Sequence, residues 1–420
     1  MNKEVTSKKV YLRSFGCQMN ERDSEFIVGL FLEKGYELTE SPDMADIILF
    51  NTCSVRAHAE ERAIKNMAQL MHRHKDRIYG MAGCAAQALK DKLFDMLPAL
   101  NIVCGTGEIA RLPELVEKIH EIHYEGPSYA KASEGKRGTL VHRSQTRKQF
   151  GEGGTDEARK KRKVVATDNI NGYIPEIKTS YRKSDKHAYV SIMRGCNNFC
   201  SYCIVPHVRG KERSRKAQDI LSEVKGLADG GIKNITLLGQ NVNSYRGTYS
   251  FVKLLDLING INGIERITFM TSHPKDATPE LFKAMRDLEK IVKHLHLPLQ
   301  SGSGRILKLM NRGYTRKKYL GLVKKARKII PGLRLTTDVI VGFPSETEKD
   351  FRNTLDLMKK VRFDGAYIFK YSPRAGTRAS RMKPDVPEEA KKRRHGILLD
   401  LQRKLSKRKK DAKTCHSCAV

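Results

Sequence analysis

The chain has 420 residues, only 39% of them hydrophobic, which argues for two or three domains rather than one compact unit. Its 79 Lys and Arg against 47 Asp and Glu leave a formal charge of +32, an excess that calls for a polyanionic partner (RNA, DNA or an acidic membrane surface) and not a small neutral substrate. No apolar run approaches the length of a membrane span and the opening MNKEVTSKKV has no apolar signal core, so neither a spanning helix nor a secretory leader is expected and the chain is read as cytoplasmic.

In chain order, KKVYLRSFG, ADIILFNT, RIYGMAG and ALNIVCGTG read as strands, separated by ERDSEFIVGLFLEKG and a long charged helix and followed by ARLPELVEKIHEI. This alternation predicts βαβ units on a parallel sheet over residues 9–123, an amino-terminal α/β domain. Residues 124–184 turn to Gly, Ser, Lys and Arg with few apolar positions and are expected to be a basic, flexible linker or insertion. Over residues 185–385 the segments AYVSIM, KNITLLG, ERITFMT, KHLHLPL, LRLTTDVIVG and GAYIFKYS recur between helical patterns, as six strand–helix units of an incomplete (β/α) barrel would. Residues 386–420 form a basic helix and tail. Its KKRR and KRKK clusters can neutralise phosphates, whereas Leu398, Leu401 and Leu405 at helical spacing suggest packing against the barrel.

The nine cysteines are an odd number without an export signal, so thiolate or metal chemistry is expected in place of disulfides. Cys196, Cys200 and Cys203 form CxxxCxxC directly after the strand AYVSIM. Three thiolates from one tight loop can bind three irons of a [4Fe–4S] cluster and leave the fourth open to an amine-and-carboxylate ligand such as the methionine end of S-adenosylmethionine. A zinc site completed by His207 is the alternative, although the Cys-to-Cys spacing suits it poorly. Cys17, Cys53 and Cys84 each end a separate strand-like segment, and strand ends of a parallel sheet share one edge. They can therefore converge on a second cluster with an open iron. Cys104 ends another strand and would close that cluster if it joined. Cys415 and Cys418 could form a metal pair, but two thiols on a tail without packing signal are more often functionally silent.

The loop MRGCNNFCSYC, with an aromatic before its third cysteine, resembles the radical S-adenosylmethionine superfamily. That resemblance implies cofactor contacts from Tyr202, from Gly239, Gln240 and Asn241 in LLGQN, from Ser272, from Gln300 and Ser301 in PLQSGS, and from Asp338 and Gly342 in DVIVGFP. The two cysteine triples in this order are similar to the methylthiotransferase family, in which Cys17, Cys53 and Cys84 match the auxiliary ligands and Cys104 falls where small residues are usual. SFGCQMNERDSE, NTCSVRAHAEE, HLPLQSGS and MNRGYTR look most like the branch acting on N(6)-dimethylallyladenosine beside the anticodon of tRNA. No run of short alternating strands follows residue 385, so the family's small carboxyl-terminal TRAM β-barrel is expected to be absent.

By this resemblance the cluster on Cys196, Cys200 and Cys203 reduces S-adenosylmethionine to a 5′-deoxyadenosyl radical, and the auxiliary cluster carries sulfur for methylthiolation at carbon 2 of the adenine. The implied cofactors are two [4Fe–4S] clusters and S-adenosylmethionine. The partners are the tRNA anticodon loop, a reductant and a sulfur donor, with no role for DNA or membrane. Arg209, Lys211, Arg213 and Arg215 in VRGKERSRK are expected to contact phosphate. Rival readings are a threonylcarbamoyladenosine tRNA methylthiotransferase, a ribosomal-protein aspartate methylthiotransferase, and a non-catalytic iron–sulfur or zinc RNA-binding protein.

Overall fold

The computed structural model describes residues 8–54, 57–124, 163–171 and 181–417. Most of the segment expected as a linker lies outside the described residues, as do Cys418 and the side chain of Cys415.

The amino-terminal sheet contains β1 (Lys9–Phe15), β2 (Glu37–Leu38), β3 (Ile47–Thr52), β4 (Ile78–Gly83), β5 (Ile102–Cys104) and β6 (Val164–Ala166). All run parallel, in the order β2-β1-β3-β4-β5-β6. Both faces are covered, so the strands are near-continuous apolar runs whose side chains alternate between two cores. Ile47, Leu49, Ile102 and Cys104 enter one core, and Ile48, Phe50, Tyr79 and Val103 enter the other. Chain direction across the sheet reverses between β1 and β3, which opens a crevice at their carboxyl ends. Two strands escape the sequence pattern. β2 is two exposed residues long. β6 falls inside the expected linker, and the linker boundary is corrected accordingly, because Val164 and Ala166 pair with Ile102 and Cys104 at the sheet edge.

The second domain is an open barrel of parallel strands: β7 (His187–Ser191), β10 (Asn234–Leu238), β11 (Arg266–Phe269), β12 (His294–His296), β13 (Arg334–Val341) and β14 (Gly365–Lys370). They form the triplets β11-β10-β7 and β12-β13-β14, joined through a parallel bridge between Ile267 and Ile291. A short antiparallel pair, β8 (Met193–Arg194) with β9 (Arg213–Ser214), brackets the cysteine loop. Strand alternation again divides the side chains. Leu295, Leu335, Val339 and Val341 pack into the apolar layer under the helices. On the opposite face, His294, His296, Thr336 and Asp338 hydrogen-bond to one another.

The helix Glu388–Ser417 corrects the expectation that its KKRR cluster serves phosphate. Leu398 is 0% and Leu405 9% exposed, and Gln402 donates to the Phe363 carbonyl beneath them. Arg394 is sealed against Glu346 at 2.8 Å, Arg393 pairs with Glu348 at 2.8 Å, and Lys391 faces Glu388 at 3.6 Å. Three of its four charges thus meet carboxylates of the fold, while Lys392 faces solvent. Among the described residues no strand follows β14, and no helix is long and apolar enough to cross a membrane. Leu398→Ala should therefore destabilise the protein by about 2–5 kcal/mol in urea unfolding. Lys404→Ala, on the exposed face of the same helix, should stay within about 0.5 kcal/mol of the parent.

Candidate active site

The crevice of the first sheet gathers Cys17, Cys53 and Cys84. Cys17 caps the amino end of α1 (Gln18–Glu33) directly after β1, Cys53 follows β3, and Cys84 follows β4. Two glycines allow the approach. A Cβ on Gly16 would sit 2.5 Å from the Cys53 Cβ, and Gly83, at φ +90°, would drive one to 2.4 Å from the Asn51 Oδ1. Asn51 and Asn20 then lock the strand ends together. Asn20 donates to the Asn51 side chain and to the Thr52 carbonyl, each at 3.1 Å, and the Asn51 amide returns a bond of 2.8 Å to the Asn20 carbonyl.

Cys17 opens to solvent at the rim, whereas Cys53 and Cys84 are buried. A hydrogen bond with the Cys53 thiol lowers the Cys17 pKa to about 6 against the pull of desolvation, helped by Arg209 and by the backbone N–H groups of Asn20 and Met19. Burial raises the Cys84 thiol, and Arg209 opposes that rise from a donor Nε only 3.2 Å from the sulfur. Cys104 stands apart. It lies in the apolar core with Ile102 and Ile109, where desolvation pushes its thiol far up.

The second triple lies on the loop between β8 and the helix Val205–Arg209. The loop is held from several directions: Ser201 N–H donates to the Met310 carbonyl, Cys196 N–H to Gly210, and Gly195 N–H to the Gln240 side chain at 2.6 Å. Burial raises Cys196 and lifts Cys203 to about 12. Buried thiolates need compensation. Arg312, 5% exposed, supplies it by donating Nη1 to the Cys200 sulfur at 3.3 Å and to the Tyr202 hydroxyl at 3.4 Å. Each triple thus has one buried guanidinium on one of its sulfurs, a donor set that fits a group carrying several thiolates. His207, the fourth ligand of the zinc alternative, faces solvent.

Arg209 connects the two triples. Its Nη2 donates to Asp23 on α1 at 3.0 Å, and the other oxygen of Asp23 receives Arg194, the residue two before Cys196. Arg194 and Arg209 outweigh the burial of Asp23 and hold its carboxyl below the usual range. The expectation that Arg209 and Arg215 meet phosphate is therefore corrected. Arg209 is 4% exposed, and Arg215 is spent on the Ser191 carbonyl and Glu223, both at 2.6 Å. Arg213 donates to the Asn171 carbonyl, while Lys211 faces solvent.

The implied cofactor residues lie past successive barrel strands. Asn241 donates to Asp276 at 2.8 Å and keeps its own Oδ1 unpaired. The Ser272 Oγ, the His273 Nε2 and the Gln300 Oε1 are likewise buried without a hydrogen-bond partner. Such orphans at strand ends suit a polar ligand. Ser301, by contrast, is satisfied within the fold by Thr354 and the Ser303 N–H. Gly239 abuts the Met193 side chain and Gly342 abuts Lys391 of the last helix. Asp338 bonds His296 at 3.3 Å.

Residues 190–358 match the radical SAM superfamily and residues 9–105 match the uncharacterized protein family UPF0004. A tRNA-2-methylthio-N(6)-dimethylallyladenosine synthase of Caldicellulosiruptor saccharolyticus is 42% identical over 428 residues, covering all of this chain and 83% of the relative. The protein of that name from Acetivibrio thermocellus is 46% identical over 96% of this chain and 79% of its own length. The chain belongs to the tRNA-2-methylthio-N(6)-dimethylallyladenosine synthase family. Among solved structures, the radical S-adenosylmethionine methyltransferase TsrM from Kitasatospora setae shares the fold at TM-score 0.57 and 15% identity, over 89% of this chain and 74% of that one. The cobalamin-dependent radical enzyme OxsB does so at TM-score 0.52 and 13% identity, over 89% of this chain and 54% of that one.

For this synthase-family chain, sequence reasoning missed Asn20, Asp23, Asn51, Arg194, His273 and Arg312. The only sequence hint was local: Asn20 and Asp23 sit in the phrase after Cys17, Asn51 lies two before Cys53, Arg194 two before Cys196, and His273 next to Ser272. In iron assays, Cys104→Ser should leave the iron content of anaerobically reconstituted protein unchanged. It should nonetheless cost about 1–3 kcal/mol in stability, because it places a hydroxyl in an apolar core.

Proposed function

We propose that this enzyme methylthiolates carbon 2 of N(6)-dimethylallyladenosine next to the anticodon of tRNA, giving the 2-methylthio nucleoside. It is a radical S-adenosylmethionine enzyme that works with two [4Fe–4S] clusters. The observation that carries the reading is the junction of two thiol triples through one buried Arg209–Asp23–Arg194 contact, in a chain similar along its length to enzymes named for this reaction. The names of those relatives do not favour the threonylcarbamoyladenosine or ribosomal-protein alternatives.

Cys196, Cys200 and Cys203 would hold the cluster that binds S-adenosylmethionine, and Cys17, Cys53 and Cys84 the auxiliary one. When bound, these groups supply radical and sulfur chemistry that no acid–base side chain can perform at an unactivated C–H bond. The protein's own part is placement. Asn241, Ser272, His273 and Gln300 offer buried polar atoms to the cofactor, and burial with the nearby Arg312 lowers His273 to about 2, so that it presents a neutral ring. Gln240 fixes the cysteine loop through the Gly195 N–H. Lys211, exposed beside the loop, is left for phosphate. Replacing C–H by C–S–CH3 would take a sulfur atom from a donor, the methyl group from one S-adenosylmethionine (leaving S-adenosylhomocysteine) and the hydrogen onto the deoxyadenosyl group of a second, whose reductive cleavage uses an electron from a reductant and leaves methionine and 5′-deoxyadenosine. Its tRNA substrate is consistent with a cytoplasmic location.

The test separates the triples. With Cys17, Cys53 and Cys84 changed to Ala, the reduced protein should still release 5′-deoxyadenosine from S-adenosylmethionine but form no 2-methylthio nucleoside by mass spectrometry. With Cys196, Cys200 and Cys203 changed, both products should vanish. If the first variant makes methylthio product, the auxiliary assignment is wrong.

A further inference from the structure

Each thiol triple meets one buried arginine, but the two arginines are placed differently. Arg312 belongs to the barrel that carries Cys200, whereas Arg209 crosses from the barrel's cysteine loop to Cys84 in the other domain. The Arg209 side chain is almost wholly buried, with Nε on the Cys84 sulfur and Nη2 on Asp23. Its Nη1 is buried with no partner among the described residues, so the guanidinium retains an unused donor beside a thiol. We propose that Arg209 is a positioning residue that sets the reduction potential of the auxiliary cluster, and that Asp23 moderates its charge. The proposal rests on the reading that Cys17, Cys53 and Cys84 hold that cluster.

Hydrogen bonds to ligand sulfurs, net charge and solvent exposure are the protein's main controls on an iron–sulfur potential. Reduction adds one negative charge to the cluster. A buried guanidinium in contact with a ligand sulfur stabilises the reduced form more than the oxidised one and raises the potential. Asp23 works in the opposite sense, because its carboxylate cancels part of the same charge from the far side of the guanidinium. Arg194 shares that carboxylate, so the compensation reaching Cys84 depends on the loop that bears Cys196. The charge around one triple is thereby set partly by the chain segment that carries the other.

The experiment is an EPR-monitored dithionite titration of the full chain carrying C196A, C200A and C203A, in which one cluster remains. Arg209→Gln should lower the reduced-to-oxidised ratio at fixed potential by at least tenfold, equivalent to about 59 mV for one electron, toward harder reduction. Asp23→Asn should shift the potential the opposite way, and Arg209→Lys should restore part of the loss. Loosened domain docking would move the Gln and Asn variants in the same direction, or neither, and would overturn the proposal. Should Arg209→Gln fail to load iron, the sign of the Asp23→Asn shift decides alone. A parent protein without iron would instead overturn the auxiliary ligand assignment, and this inference with it.

Discussion

Asp23 is only 1% exposed, and a lone carboxylate there would either cost several kcal/mol of desolvation or take up a proton. Arg194 and Arg209 are therefore obligatory partners, and they arrive from the two ends of the CxxxCxxC loop. One carboxylate on the first domain thus fixes both entry and exit of the loop on the second. Breaking one arm of such a triad leaves an unpaired buried charge, so the contact resists partial opening. The same helix, α1, extends this pattern. Arg22 faces Glu223 at 3.3 Å and Arg182 reaches Glu25 at 3.7 Å, which explains why a charged stretch, NERDSE, is buried.

Registering the domains in this way brings the cysteine loop against the sheet crevice. A parallel sheet brings strand ends to one edge regardless of sequence distance, which is how residues 17, 53 and 84 become neighbours. It does not decide what faces them. That is done by Ile204 and the helix Val205–Arg209 that follows it: Ile204 and Val208 pack on Cys84, and the Val208 carbonyl accepts the Thr106 hydroxyl. Apolar packing covers the sulfur on one side and a guanidinium meets it on another. The Cys84 thiol is kept from water by contacts that also join the two domains.

Much of this was legible in the sequence, and the divide follows physical range. Strands of a two-sided parallel sheet announce themselves as apolar runs, and six barrel strands are marked by segments such as LRLTTDVIVG, so the positions of the strand-end cysteines followed directly. β6 was not legible, because three residues stabilised by pairing with β5 carry no periodicity of their own. Nor were the roles of Arg209 and Arg215, since a basic run reads alike whether its charges meet phosphate or buried carboxylates. Their partners, Asp23 and Glu223, are identified only by tertiary contact. Leu398 and Leu405 did give the packed face of the last helix, which the charges around them obscured.

The excess positive charge can now be divided. Close to the cysteine loop, Arg194, Arg209, Arg213 and Arg215 are consumed internally, while Lys211 faces solvent. More of the charge that faces solvent lies farther out, as on the helix Arg316–Ile329, whose sequence RKKYLGLVKKARKI holds no acid and leaves Lys317, Lys318, Lys324, Lys325 and Lys328 exposed. Exposed lysines on a helix surface attract a polyanion without reading its bases. The unpaired atoms of Asn241, Ser272, His273 and Gln300 lie instead at the barrel mouth, buried and held by strand ends. Exposed lysines and buried unpaired atoms thus lie on different surfaces, and the buried Asp23 triad fixes the two cysteine sets relative to each other without drawing on either.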